Sequence, residues 1–281
     1  MHSKKELLGL FSKYRIRPLR RLGQNFLIDR TAKDRIIESA ALAKDDVVLE
    51  IGPGFGALTF DLAARAKSVI AVEKDKSLCR FLEEEARRRA ADVRVVQGDI
   101  VDLDISAVAP SRKIKVIGNL PYYVTTPILT HLVEGRRFIE CAVITVQKEV
   151  AERLTALPGG KTYGALTCFV QYHAEVRPLC RIDRTSFYPE PEVDSSLIRL
   201  DVRGSPPVDV RNEELFFRVI RKAFNQRRKT ILNSLTSKAL GDIGSREAVS
   251  ETLSKVSIDT RMRPEMLSLQ DFANIANALT P

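Results

Sequence analysis

The sequence predicts an α/β fold, a parallel doubly wound sheet, followed by a small all-α C-terminal domain. Three observations carry this. Short apolar runs between residues 47 and 146 alternate with stretches of helical periodicity, the pattern of a parallel sheet with helices on its faces. The first run passes straight into Gly52-Pro53-Gly54-Phe55-Gly56, a turn placed where an open α/β sheet keeps its ligand. Beyond Gly204-Ser205-Pro206-Pro207, a stretch that breaks helix and strand alike, no strand pattern follows.

Val47 to Ile51 is continuously apolar except for Glu50 and reads as a buried strand. Ala57 to Ala66 reads as a helix, Ser68 to Val72 as a second strand ending at Glu73, and Asp75 to Ala90 as a helix with Leu78, Phe81 and Leu82 on its apolar face. Val93 to Val96 is a third strand closed by Gln97-Gly98-Asp99, and Lys115 to Ile117 a fourth, closed by Gly118-Asn119-Leu120-Pro121-Tyr122. The next helix has Pro127 in its first turn. Cys141 to Val146 is a fifth strand, and Ser195 to Val202 a late strand at an antiparallel edge. Leu215 to Phe224, Thr230 to Leu240, Arg246 to Val256 and Leu269 to Leu279 read as helices, the last opened by a capping box at Ser268-Leu269-Gln270-Asp271. The expected domains are 1–204 and 205–281.

Composition excludes several classes. No apolar run approaches the roughly 20 residues of a membrane span, and Met1 to Glu6 has no secretory pattern, so a cytoplasmic protein away from membranes is expected. Cys79, Cys141, Cys168 and Cys180 are far apart and form no CxxC pair, and His2, His131 and His173 form no ligand pattern. Buried thiols in a reducing compartment are expected, and no metal.

Charge points to a partner. The net charge is +9. Residues 1–21 hold Lys4, Lys5, Lys13, Arg15, Arg17, Arg20 and Arg21 against Glu6 alone, and residues 211–240 hold eight basic side chains against Glu213 and Glu214. Two separated basic segments are the footprint of a polyanion; a merely solvated basic surface is the alternative.

The chemistry gathers at the strand ends. The glycines after Ile51 allow a sharp turn and close approach to a ligand. Gly52, Gly54 and Ala57 also fit a dinucleotide fingerprint. Glu73, at the next strand end, is placed to accept hydrogen bonds from ribose hydroxyls, which serves a dinucleotide and S-adenosylmethionine equally. Asp99 can accept from an adenine amine. Asn119-Leu120-Pro121-Tyr122 decides between them. An adenine amine is a poor nucleophile because its lone pair is delocalised into the ring. Neutral acceptors aimed at its N–H bonds favour a pyramidal nitrogen that can attack. The Asn119 amide oxygen and the carbonyl of Leu120 or Pro121 can supply them, while Tyr122 can stack on the base.

At these residues the chain resembles the S-adenosylmethionine-dependent ribosomal RNA adenine dimethyltransferases, and more closely their bacterial small-subunit branch, whose loss confers kasugamycin resistance. The resemblance runs through Gly23 to Leu27, Glu50 to Thr59, Glu73, Gly98-Asp99, Asn119 to Tyr122, Phe187 to Ser195 and Ala223 to Thr230. It implies a Rossmann-like S-adenosylmethionine-dependent methyltransferase fold. It implies cofactor contacts at Asn25, Leu27, Gly52, Glu73, Asp99 and Asn119, the last also touching substrate, and a second aromatic near the target base at Phe187. It further implies dimethylation of two adjacent adenines in the 3′-terminal hairpin of 16S ribosomal RNA, within the small subunit or its precursor, late in assembly and by a monomer. Arg221, Lys222, Arg227, Arg228 and Lys229, with the N-terminal arm, are expected to grip RNA phosphates at the pocket mouth.

Three rivals stand against this reading. An antibiotic-resistance methylase acting on large-subunit RNA shares the cofactor motifs, but Leu120 and the Phe-Asn-Gln-Arg-Arg-Lys segment favour the small-subunit enzyme. A non-catalytic RNA-binding assembly factor has no use for Asn119 to Tyr122. A nicotinamide oxidoreductase has none for Asn119 or the basic segments. Calorimetry separates the last: S-adenosylhomocysteine is expected to bind and NAD not, and tight NAD binding without a response to S-adenosylhomocysteine would sink the methyltransferase reading.

Overall fold

The computed structural model describes residues 3–19, 23–109, 112–237 and 243–280. Arg20, Arg21 and Lys238 of the basic segments, His2 and the expected helical end at Leu240 lie outside them. Strands β1 to β9 are Phe26–Leu27, Val47–Ile51, Ser68–Glu73, Val93–Gln97, Ile114–Asn119, Ile139–Gln147, Ala174–Ile182, Phe187–Tyr188 and Ser195–Val202. Helices α1 to α8 are Lys4–Tyr14, Arg30–Ser39, Thr59–Ala63, Lys76–Arg89, Ile105–Val108, Thr125–Glu134, Lys148–Leu154 and Ala165–His173. Helices α9 to α12 are Glu213–Asn225, Ile231–Leu235, Arg246–Lys255 and Leu269–Leu279.

The chain forms two compact units, residues 1–151 with 175–202, and residues 152–174 with 203–281. This differs from the expected division at 204, because the chain leaves the first unit at 152 and returns at 175. The reason is burial: Tyr163, Cys168 and Tyr172 in that excursion join Phe216, Phe217, Ile220 and Phe272 in one apolar cluster. The all-α unit therefore recruits α8 from the middle of the sequence.

In the first unit a seven-stranded sheet runs β4-β3-β2-β5-β6-β9-β7. The pairs β3–β4, β2–β3, β2–β5 and β5–β6 are parallel. Val48 and Leu49 are fully buried, as a central strand covered on both faces requires. β9 pairs antiparallel with β6, but it is not the edge; β7 lies outside it. Pro178 and alternating polar residues hide β7 from a strand reading, and Pro suits an edge. β1 and β8 form a separate two-stranded sheet, with Leu27 opposite Phe187.

Local chemistry sets the helix ends. Asp75 caps α4, its Oδ1 accepting from the Ser77 amide at 2.8 Å, and Arg87, Arg88 and Arg89 fill the last turn where the helix dipole favours cations. Leu78, Phe81 and Leu82 are buried as their spacing predicts. The helix expected from Ala57 shrinks to Thr59–Ala63 because the glycine-rich turn extends into it. The capping box at Ser268 and Asp271 is present. α1, capped by Ser3 and Glu6, seats Leu7 in a cluster with Phe26, Phe55 and Phe81, while Lys4, Lys5, Lys13, Arg15 and Arg17 stay exposed.

The opposite end of the sheet carries an ion cluster. Lys115, at the start of β5, places Nζ 2.9 Å from Asp46 and donates to the Ala41 carbonyl at 2.8 Å. Burial lowers the Lys115 pKa, but the Asp46 carboxylate outweighs it and holds the ammonium above its ordinary value. The thiols of Cys79, Cys141 and Cys168 are buried and Cys180 is half-buried. Burial pushes Cys79 and Cys168 up to about 12 and Cys141 to about 11, so these three are inert near neutral pH.

Candidate active site

β2 and β5 are neighbours, although the chain visits β3 and β4 between them. The strand order reverses there, and a crevice opens beyond their carboxyl ends. The glycine turn after Ile51 and Asn119 at the end of β5 are brought to its two sides by the register Ile51 opposite Gly118.

The cavity at this point is lined by Asn25, Leu27, Gly52, Glu73, Asp99, Asn119 and Pro121 among others. All six residues expected to touch the cofactor thus share one cavity. Glu73 is buried, and its two oxygens accept the amides of Gly54 at 3.1 Å and Asp75 at 2.9 Å. Burial raises its pKa, while those two N–H donors work against the rise. Gly54 has φ +58°, and a Cβ there would lie 3.0 Å from the Phe26 ring, so the turn needs glycine for both reasons.

Asp99 accepts from the Val101 amide at 3.2 Å and from Lys74 Nζ at 2.7 Å. Burial tends to raise its pKa, but the Lys74 ammonium and the amide prevail and hold it below the ordinary value. Asn119 Nδ2 donates to the Asn25 carbonyl at 2.9 Å. That bond fixes the amide's orientation and leaves Oδ1, which is buried, without a hydrogen-bond partner. A buried acceptor left open beside a cavity is the polar group that a bound N–H would satisfy.

The segment from Gly23 to Leu27 is built into this wall. Gln24 Oε1 accepts the Leu19 amide at 2.8 Å, and its Nε2 donates to Asp75 at 3.3 Å. Asn25 holds Asn119, Phe26 enters the cluster with Phe11 and Phe55, and Leu27 pairs with Phe187 of β8.

Other expected residues are placed differently. The Leu120 side chain is buried in the core. The Tyr122 hydroxyl lies 2.5 Å from Ser195 Oγ, and Tyr122 is not a lining residue; burial raises its pKa. Phe187 is a core residue packed with Leu27, Ile182 and Leu197, because its pairing opposite Leu27 turns the ring inward. Lys222 is wholly buried in the all-α unit and cannot reach a phosphate, which corrects its assignment to an RNA grip. Its position on the apolar face of α9, between Val219 and Ala223, accounts for the burial. Arg227 donates to the Lys161 and Tyr163 carbonyls at 2.6 and 2.8 Å, a structural use of its guanidinium. Arg221, Arg228 and Lys229 are exposed.

The residues 17–280 match the family model of ribosomal RNA adenine dimethylases. The chain belongs to the ribosomal RNA adenine dimethylase family. It is therefore an S-adenosylmethionine-dependent methyltransferase acting on ribosomal RNA. It is 46% identical over 279 residues to the ribosomal RNA small subunit methyltransferase A of Pelotomaculum thermopropionicum, covering 96% of this chain and 94% of that one. The protein of the same name from Moorella thermoacetica is 46% identical over 272 residues, covering 93% and 92%. Among solved structures, a dimethyladenosine transferase from Plasmodium falciparum superposes with TM-score 0.76 at 25% identity, covering 89% of this chain and 95% of that one. The 23S rRNA methyltransferase ErmE superposes with TM-score 0.69 at 28% identity, covering 92% and 100%. This dimethylase shares its methyltransferase fold with both.

Glu50, Lys74 and Tyr123 also line the cavity and were not among the expected contacts. The signal for Glu50 was a charged residue inside an otherwise apolar strand. Burial pushes the Glu50 carboxyl up to about 8, and the charge of Glu73 pushes the same way. The folded state therefore keeps a proton that the unfolded chain releases near 4.5. Stability from that proton is full below the unfolded value and is lost as pH rises through the folded one. Glu50→Gln should melt increasingly above the wild type between pH 5 and pH 8, measured without cofactor. A constant gap across that range would remove the buried carboxyl from the account.

Proposed function

We propose that this enzyme dimethylates two adjacent adenines in the 3′-terminal hairpin of 16S ribosomal RNA. It would act in the cytoplasm as a monomer, on the small subunit or its precursor, late in assembly. The observation that carries the reading is the open, buried Oδ1 of Asn119 at the point where β2 and β5 part. Support for the small-subunit substrate comes from the names of the 46% identical relatives; the superposed 23S enzyme is 28% identical. No helix among the described residues is long and apolar enough to cross a membrane.

The residues present suit S-adenosylmethionine. Glu73 would take the ribose hydroxyls, Asp99 the adenine amine, and Asn25, Leu27 and Gly52 would close around the remainder. When bound, it supplies an electrophilic methyl carbon on a sulfonium. Asn119 Oδ1 accepts one N–H of the target amine and draws the nitrogen lone pair out of conjugation. The Pro121 carbonyl already receives the Val124 amide and Thr125 Oγ1, each at 3.2 Å, so Leu120 is the better second acceptor. Tyr122 would have to leave Ser195 to stack on the target, and Phe187 to turn out of the core to join it. Once methylated, the nitrogen would carry a positive charge that makes its N–H acidic, and water can take one proton.

Asn119→Ala should lower kcat by about 100- to 1,000-fold, the cost of one preorganised group of roughly 3–4 kcal/mol, with a much smaller change in RNA affinity. Near-normal turnover would mean that the amine is activated elsewhere.

Lys4, Lys5, Lys13, Arg15 and Arg17 in the N-terminal arm, and Arg221, Arg228 and Lys229 in the all-α unit, are the candidate phosphate contacts. Reversing Arg228 and Lys229 together should weaken RNA binding at low salt, leave S-adenosylhomocysteine affinity unchanged, and flatten log Kd against log salt by about 0.7 per lost contact. A salt titration with an unaltered slope would leave these side chains as ordinary solvated charges.

A further inference from the structure

Tyr123 is 51% exposed and lines the active-site cavity. A half-exposed tyrosine alone means little; its seating means more. It sits in a short turn, Tyr122–Val124. The Val124 amide donates to the Pro121 carbonyl there at 3.2 Å, and Thr125 Oγ1 donates to the Pro121 and Tyr122 carbonyls at 3.2 and 3.3 Å. The ring rests on the bare backbone of Gly23, where a Cβ would come 3.1 Å from Cδ1 and 3.4 Å from Cε1. Gly23 has φ +57°, so both its conformation and this contact favour glycine.

Lys74 and Asp99 line the same cavity as Tyr123. Lys74 is held above the ordinary lysine value first by its hydrogen bond to Asp99 and then by that group's charge. Tyr123 is therefore seated on the Gly23 side of the cavity that Lys74 and Asp99 also line. The other aromatic rings among the described lining residues, Phe26 and Phe55, are buried and packed on each other, 5.4 Å between centroids. Tyr123 is the aromatic lining residue left with solvent on one side and the cavity on the other.

We propose that Tyr123 is a binding residue for the methyl donor, its ring forming the outer wall over the adenosine half of the cofactor and slowing its escape. This rests on the reading of Glu73 and Asp99 as the nucleoside contacts. A ring that lines the cavity from the Gly23 wall and meets solvent on its far side covers what lies beneath it. Contact between a base and an aromatic ring tolerates loss of the hydroxyl but not of the ring.

The test is stopped-flow and equilibrium binding of S-adenosylhomocysteine to the full chain, comparing the wild type, Tyr123→Ala, Tyr123→Phe and the reference Asp99→Ala. Tyr123→Ala should bind about tenfold more weakly, almost wholly through faster dissociation, while Tyr123→Phe stays within about twofold and RNA affinity is unchanged. If the alanine variant melts early, Tyr123→Leu decides, since it keeps apolar bulk without the ring, and the same faster dissociation is expected. Wild-type dissociation from Tyr123→Ala, with affinity lost in Asp99→Ala, overturns the wall and spares the nucleoside reading. Wild-type cofactor binding with weakened RNA binding makes Tyr123 an RNA platform and also overturns it. Full affinity in Asp99→Ala refutes the nucleoside reading and the wall with it.

Discussion

The parallel pairing of β2 with β5 is the constraint on which the site depends. It sets Ile51 opposite Gly118, so the glycine turn and Asn119 leave the sheet at the same level. The contact is close enough that a Cβ on Gly118 would lie 2.9 Å from the Ile51 carbonyl oxygen. A larger residue at 118 would push the two strand ends apart and move Asn119 away from the turn. The Asn119–Asn25 hydrogen bond then ties the Gly23–Leu27 segment to this point. Three stretches far apart in sequence thereby become one wall, and the orientation of the Asn119 amide follows from it.

The two ends of the same sheet treat charge in opposite ways. At the amino ends, buried Asp46 and Lys115 face each other, and Arg112 adds a second cation at 3.4 Å from Asp46. That arrangement satisfies its members internally, as a buried structural pair must. At the carboxyl ends, Glu50 and Glu73 are buried with no salt bridge to either among the described residues, and Glu50 Oε2 has no hydrogen-bond partner. Burying carboxylates in this way costs stability that the fold must offset elsewhere. The sheet keeps that cost at the end where a ligand can relieve it.

What the sequence made legible followed from strong local rules. The run Val47 to Ile51 and the capped, amphipathic α4 fall where their periodicity puts them, because propensity, capping and burial agree there. All six expected cofactor contacts converge, since strand ends in a parallel sheet must meet at the reversal of strand order. The departures have equally physical causes. Two adjacent tyrosines end the Asn119 motif, and a sequence does not say which ring a short turn aims into the cavity; it is Tyr123 that lines it. Charge is a poor guide to exposure on an amphipathic helix: Lys222 falls on the buried face of α9 although its stretch reads as basic. β7 was obscured by Pro178. α8 belongs to a core whose buried members beyond its own excursion begin at Leu215, more than 40 residues later, which is a long-range fact that periodicity does not carry.

The all-α unit shows why basic residues must be sorted before they are assigned to RNA. Its core is aromatic, with Tyr172, Phe216 and Phe217 in mutual contact at 5.0 to 5.2 Å between centroids. The turn after α9 is closed by Arg227, whose guanidinium gathers two carbonyls from the 161–163 segment. Removing that side chain would leave carbonyls without their donor and loosen the join between α9 and the stretch leading into α8, so lost RNA binding would follow from disorder as readily as from a lost contact. Arg228 and Lys229 hold no such position, and their exposed charge is free to meet a phosphate. The distinction turns a run of five basic residues into two structural members and three candidates, and it is the three that should carry the salt dependence of binding.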